Sequence, residues 1–157
     1  MNIKSISLKL FFVCFTFMIP IGVMNHLMTQ AKNKDITFGS QEMKGNVYQA
    51  QLTKIFEQLS SLRFSLNFEK KQNVVTLNKI SKEIENLQQI DSKIGKDLEF
   101  TTEGLAKRKR TEFNAANLLK SWTRFLENTD KTKQIEILTT MSAHLKNMIT
   151  HAAMLLI

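Results

Sequence analysis

Glu42, Gly45 and Tyr48 follow one another at three-residue steps, so a carboxylate, a glycine and a phenol lie along one face of a helix. On such a face the glycine lets another backbone or a bulky neighbour approach closely, and the carboxylate and the phenol can hydrogen-bond across to a partner helix. That is the chemistry of recognition or of helix registry. His144 and His151, seven residues apart, can share a helix face too. A metal wants a third ligand on the same patch, and the surrounding sequence offers only Glu136, so both histidines read as packed or solvated and no metal is expected. Lys107, Arg108, Lys109 and Arg110 form the one dense charge run, with Glu103 and Glu112 at its edges. On a helix these four spread around the full circumference, which reads as a solvated helix start and gives no groove-facing stripe for nucleic acid. Trp122 and its neighbouring phenylalanines sit at core spacing and read as packing before they read as a stacking platform. No glycine loop precedes a Lys-Ser/Thr pair and no Ser or Cys lies in a nucleophile motif. A catalytic residue and a cofactor are therefore not expected, and the chain reads as no enzyme.

The elements that must position these groups begin with the charge distribution. The 157 residues carry 22 basic and 14 acidic side chains, a net charge of +8, with one Cys, one Pro and five Gly. Half of the excess belongs to Lys4, Lys9, Lys32 and Lys34, which flank a single apolar run in residues 1–34. Leu10 to Met24 reads LFFVCFTFMIPIGVM, and Leu27 and Met28 prolong it towards the ~20 residues a helix needs to cross a bilayer. Residues 1–34 are thus expected to be a cytoplasmic stub and a transmembrane helix, with Cys14 as an apolar filler and Pro20 as a kink. Lys4 and Lys9 hold the N-terminus inside, which puts the chain from about residue 35 in the periplasm of a bacterial inner membrane. A cleaved signal peptide ending near Thr29-Gln30-Ala31 is the competing reading.

Beyond residue 35 the apolar spacing is helical. Leu52, Ile55, Phe56, Leu59, Leu62 and Leu66 make one stripe and predict a helix over about residues 40–67. Val74, Leu77, Ile80, Ile84, Leu87, Ile90, Ile94 and Leu98 make a second, close to a heptad seam and suited to a homodimer. Residues 67–73 read as a short connection. Phe113 to Leu126 marks a third helix, and Asp130 is an N-cap for a fourth starting at Lys131. The expectation is all-α: an N-terminal transmembrane helix, then an antiparallel four-helix bundle over residues 35–157. The chain stops inside an apolar helical run, which suggests that this domain is C-terminally incomplete.

The stretch Phe38-Gly39-Ser40-Gln41-Glu42-Met43-Lys44-Gly45-Asn46-Val47-Tyr48, soon after an apolar helix and leading into LTKIFEQLSSLR, resembles the opening of bacterial methyl-accepting chemotaxis receptors. One group of these carries E-x-x-G-x-x-Y followed by an aliphatic stripe ending near an arginine; Glu42, Gly45, Tyr48 and Arg63 occupy those places. Leu118-Leu119-Lys120-Ser121-Trp122 and the closing HLKNMITHAAMLLI look more faintly like later helices of the same sensor region, which is found on membrane histidine kinases as well. The resemblance implies a membrane-anchored periplasmic sensor, dimeric, that binds a small ligand or a ligand-loaded binding protein. The basic excess suggests an anionic ligand. Such a receptor continues through a second membrane helix into a long cytoplasmic coiled coil, and that output module is not encoded in these residues. A single-pass anchored helical scaffold or interaction protein is the alternative. Glu42, Gly45, Tyr48, Arg63 and Trp122 are the residues expected to bind ligand or to set bundle registry.

Overall fold

The computed structural model describes residues 3–68 and 74–154, with side chains described for 11–68 and 74–153. Its regular structure is all helical, and no strand occurs among the described residues. The elements in order are α1 (Ile3–Phe68), α2 (Val74–Ile90), a π-turn (Asp91–Gly95), α3 (Thr102–Lys107), α4 (Ala115–Glu127) and α5 (Lys131–Met154). The chain divides into two compact units, Met1–Ser40 and Gln41–Ile157.

The first unit is helix α1 as far as residue 40. Its large apolar side chains from Phe11 to Met28 are 54–70% exposed, an arrangement stable in hydrocarbon and costly in water. This is a helix long and apolar enough to cross a membrane. Pro20 lies inside it without ending it. Thr16 and Thr29 each turn a hydroxyl back to the carbonyl four residues earlier, at 2.8 Å, which hides two polar groups along the apolar stretch.

The second unit is built on the stripes. Tyr48, Leu52, Ile55, Leu59, Leu62 and Leu66 of α1 are buried against Ile80, Ile84 and Leu87 of α2, Leu118, Trp122 and Phe125 of α4, and Leu138, Met141, Leu145 and Met148 of α5. Cross-helix bonds give the directions. Tyr48 meets Asp91 and Gln51 meets Glu83, so α1 and α2 run antiparallel. Trp122 meets Ser81 and Gln88 meets Ala115, which makes α2 and α4 antiparallel as well. Between α1 and α5 the polar ties are long, Gln49 Nε2 to the Ile149 carbonyl at 3.4 Å and Arg63 Nη1 to Thr139 Oγ1 at 3.5 Å. Glu83 is gripped harder: Lys54 Nζ lies 2.8 Å from Oε1, and the Gln51 amide donates to its Oε2 at 3.0 Å and to its backbone carbonyl at 2.7 Å. These donors, Lys54 first, hold the Glu83 carboxyl below its usual range.

Several expectations are corrected. The helix predicted over residues 40–67 has no start of its own; it is the last part of α1. The stripe read as one seam from Val74 to Leu98 does not stay on one helix. The i→i+5 turn at Asp91–Gly95 ends the α-helical phase, and Leu98 reaches the core from the connector that follows. The run Lys107 to Arg110 does not start a helix: Lys107 closes the short α3, and the chain turns away through Arg108 and Lys109, whose φ is 54°. Helix α4 begins at Ala115, where Asn114 Oδ1 accepts from the Asn117 amide at 2.8 Å. Asp130 does cap α5, accepting from the Thr132 amide at 2.9 Å. Of the expected connection, residues 69–73 lie outside the described residues, as do 155–157 of the closing apolar run.

Candidate functional site

The face carrying Gly45 and Tyr48 turns inward, and Glu42 does not follow them. A three-residue step falls short of a turn by about 60°, so two steps carry Glu42 about 120° from Tyr48 and out into solvent. Tyr48 has no exposed surface. Its hydroxyl donates to Asp91 Oδ1 at 2.7 Å, and its ring stacks on Phe100 with centroids 4.4 Å apart. The phenol thus has a carboxylate partner, as its residue type suggested, but the carboxylate comes from the π-turn. Burial, then the Asp91 charge and the hydrogen bond to it, push the Tyr48 phenol far above its ordinary range. Burial raises the half-buried Asp91 carboxyl too, against the opposing pull of the Tyr48 bond.

The π-turn explains how Asp91 reaches this place. A widened turn re-aims its side chains, and here it sets Asp91 over Gly95, where a Cβ would stand only 2.5 Å from Asp91 Oδ1. At the outer edge Lys44 Nζ pairs with Asp97 at 2.6 Å, a solvent-screened contact worth little. Asp91 and Phe100, with Thr101, Thr102, Glu103 and Leu105, line an open surface pocket of about 400 Å³. Thr101 caps α3 through the Gly104 amide at 3.1 Å. Gly104 is required there, because a Cβ would run into the Glu99 backbone carbonyl.

Phe100 joins this pair to a second group of side chains. Its other neighbour is His151 on α5, edge-on at a centroid distance of 4.6 Å. His151 is fully buried, with the backbone of Leu98 and Glu99 as the hydrogen-bonding groups beside its ring. Burial lowers its pKa, and the charges of Arg108 and Arg110 lower it further. Both arginines turn an Nη1 into a buried position where it finds no acceptor. Arg108 Nη2 is 3.5 Å from Glu99 Oε2, and Lys107 Nζ is 3.8 Å from the other oxygen of that carboxylate.

The remaining sequence-predicted residues lie apart from this region in their bonding. Arg63 is exposed, and its guanidinium lies 3.5 Å from Thr139 Oγ1. Trp122 is buried, donates from Nε1 to Ser81 Oγ at 2.9 Å and stacks on Phe125 at 4.9 Å, which is core packing with its one polar atom satisfied. His144 is buried with Nε2 3.2 Å from the Asn114 carbonyl and its ring edge-on to Phe113, and burial lowers its pKa. No group of three potential metal ligands occurs among the described residues.

The structure therefore brings together Gly45 and Tyr48 from the expected set and adds Asp91, Phe100, Arg108, Arg110 and His151. Asp91 was visible in the sequence only as a polar residue between Ile90 and Ile94 of the stripe, and Phe100 carried no signal. Arg108 and Arg110 were visible as charge, but their inward turn depends on the positive φ of Lys109 between them. Comparison with family models, with curated proteins and with solved structures finds no match for this chain.

Proposed function

We propose that the chain is the membrane-anchored, periplasmic sensor part of a chemoreceptor-like signal transducer, a binding module and not an enzyme. On this reading residues 41–157 form an antiparallel four-helix bundle that takes up a small ligand, works as a dimer, and hands its signal to an output module that these residues do not include. The observation that carries it is the polar Tyr48–Asp91 pair, with Asp91 on the wall of an open surface pocket of about 400 Å³. A buried polar pair adds little stability over an apolar pair of the same shape, which leaves registry or recognition as its use, and a pocket with convergent polar groups is where a small molecule would sit. The helix that supplies Tyr48 also carries the apolar stretch of an anchor, which suits a sensor whose output lies across a membrane. An anchored scaffold is favoured by one feature, the exposure of Phe64 and Phe68 at the end of α1, 64% and 75%.

The test is thermal unfolding of the full chain in lipid nanodiscs against a panel of amino acids, organic acids, amines and sugars. A ligand that binds only the folded state raises the melting temperature by mass action, roughly 2.7 kcal/mol at 100 times Kd. A saturable rise with one chemical class supports the sensor. No rise with any class, together with a cross-linked partner protein lost on Phe64→Ser and Phe68→Ser, would put the scaffold in its place.

A further inference from the structure

We propose that the open pocket at Asp91 takes a compact organic ammonium, a primary amine carried on a short apolar body. The proposal rests on the sensor reading above and names the ligand class which that reading leaves open. The chain as a whole carries a net charge of +8, yet the pocket has the opposite sign. Two carboxylates, Asp91 and Glu103, stand on its wall, and no lysine, arginine or histidine does among the described residues. Neither carboxylate has an ion pair among the described residues; Lys44 is committed to Asp97 at 2.6 Å, and Lys107 lies 3.8 Å from Glu99. The basic excess that suggested an anionic ligand therefore lies elsewhere on the chain, and a concave site that keeps two unpaired carboxylates repels anions and concentrates cations.

The wall offers an ammonium its partners. Tyr48 donates to Asp91 Oδ1 at 2.7 Å and fixes that carboxylate, while Asp91 Oδ2 has no hydrogen-bond partner among the described residues. The half-buried carboxylate is thus oriented before a ligand arrives, which lowers the cost of binding. Thr101 Oγ1 accepts the Gly104 amide at 3.1 Å, which uses one of its two lone pairs and leaves the other. An ammonium carries three N–H donors, and Asp91, Glu103 and Thr101 bring three acceptors to one pocket. The rest of the wall decides against a bare ion. Phe100 and Leu105 are buried apolar side chains on it, suited to a hydrocarbon body, and the side chain of Asn114 is already spent, Oδ1 on the Asn117 amide at 2.8 Å and Nδ2 on the Thr111 carbonyl at 3.0 Å. A calcium ion wants about six or more oxygens and finds two carboxylates, with no group of three candidate metal ligands among the described residues. A carboxylate or a phosphate would meet two like charges, and a sugar would leave both unpaired.

The experiment uses the full chain in phosphatidylcholine nanodiscs at constant ionic strength, with n-butylammonium, n-butanol and butyrate as probes, which share one body and differ in the charge of the head. The expected result is a saturable rise in melting temperature of several degrees with butylammonium alone. Its affinity should fall about tenfold or more in Asp91→Asn, as the loss of a charge-assisted hydrogen bond implies, and should fall as well in Glu103→Gln, an exposed position where the change leaves the fold intact. Glu85→Gln, which removes the same charge from an exposed position on α2, should leave it unchanged. Slowed amide exchange over residues 91–105 in the unaltered chain gives a second readout that needs no variant. No rise and no slowing with butylammonium, a rise that survives both Asp91→Asn and Glu103→Gln, or an equal rise with calcium chloride overturns the site. If butyrate or butanol raises the melting temperature while butylammonium does not, the ammonium class fails and the sensor reading stands; if nothing in the wider panel binds either, both fail.

Discussion

Removing a single oxygen atom tests the centre of this arrangement. Tyr48→Phe keeps the ring that stacks on Phe100 and deletes only the hydroxyl that donates to Asp91 at 2.7 Å. A hydrogen bond to a charged acceptor contributes about 1.5–3 kcal/mol, but two corrections lower the figure here. Asp91 is half-exposed and can recruit water once the phenol is gone, and the variant no longer has to bury a hydroxyl. The loss is therefore expected near 1–1.5 kcal/mol, or roughly 4–6 °C in melting temperature for a unit of this size. The assay is urea unfolding of the full chain in detergent, followed by the fluorescence of Trp122, the only tryptophan and a residue of the core. Asp91→Ala and the double variant complete a cycle whose coupling energy is expected at about 1 kcal/mol. The Tyr48 bond also holds the Asp91 carboxyl down, so the cost of Tyr48→Phe is expected to shrink once Asp91 is protonated at low pH. A coupling below about 0.3 kcal/mol would refute the idea that this bond sets the α1–α2 contact.

Gly104→Ala drives a Cβ into the Glu99 backbone carbonyl, which cannot swing aside as a side chain would, and a loss of about 2–3 kcal/mol is expected in the same urea assay; a neutral result would mean that the connector is soft. Lys109→Gly removes the left-handed strain at a φ of 54° for some extra entropy in the unfolded chain, so the melting temperature should rise by a few degrees, equivalent to about 0.5–1 kcal/mol, and a fall would count against the turn described here. Burial holds His144 and His151 below the usual histidine value of 6.5, with Glu112 facing His144 and Arg108 and Arg110 facing His151. The unfolded chain then takes up protons near 6.5 that the folded chain refuses, so this contribution to stability is lost as pH falls through 6.5. The urea midpoint should accordingly drop between pH 7.5 and 5.5, less steeply in His151→Asn, and a flat profile would show the rings to be solvated. Asp91 acts with the opposite sign and in a lower window, because its raised carboxyl takes up its proton more readily in the folded chain.

Helical content and the apolar N-terminal stretch could be read from periodicity and charge, because the stripes of α1, α4 and α5 each lie on one uninterrupted helix and a 3.6-residue period needs only local sequence. The stripe that continued past Ile90 misled for a physical reason. An i→i+5 turn changes phase without changing composition, so Ile94 and Leu98 keep their spacing in the sequence while the backbone beneath them leaves the α-helix. The site was harder to read. Tyr48 could be found because glycine and tyrosine at a three-residue step mark an inward face, but its partner lies 43 residues away on a turn whose geometry no local pattern announces. The arginines looked like solvated charge because the residue that turns them inward is a lysine in a conformation lysine rarely adopts. Glu83 gave no warning either, since its donors Lys54 and Gln51 stand on a different helix.

That carboxylate has a mechanical meaning. Lys54 and Gln51 grip Glu83 from consecutive turns of one helix, so it works as an index pin: a slide of even one residue, about 1.5 Å, along the axis stretches these bonds together. Force applied along the axis of α1 is handed to α2 as to a welded strut. Between α1 and α5 the polar ties named above are longer, 3.4 and 3.5 Å, with Lys146 over the Phe56 ring at 5.6 Å, and the rest of that seam is apolar packing, which resists a slide less sharply than a short hydrogen bond. The unit therefore has one stiff edge and one compliant edge, and a small displacement within it is taken up at α5.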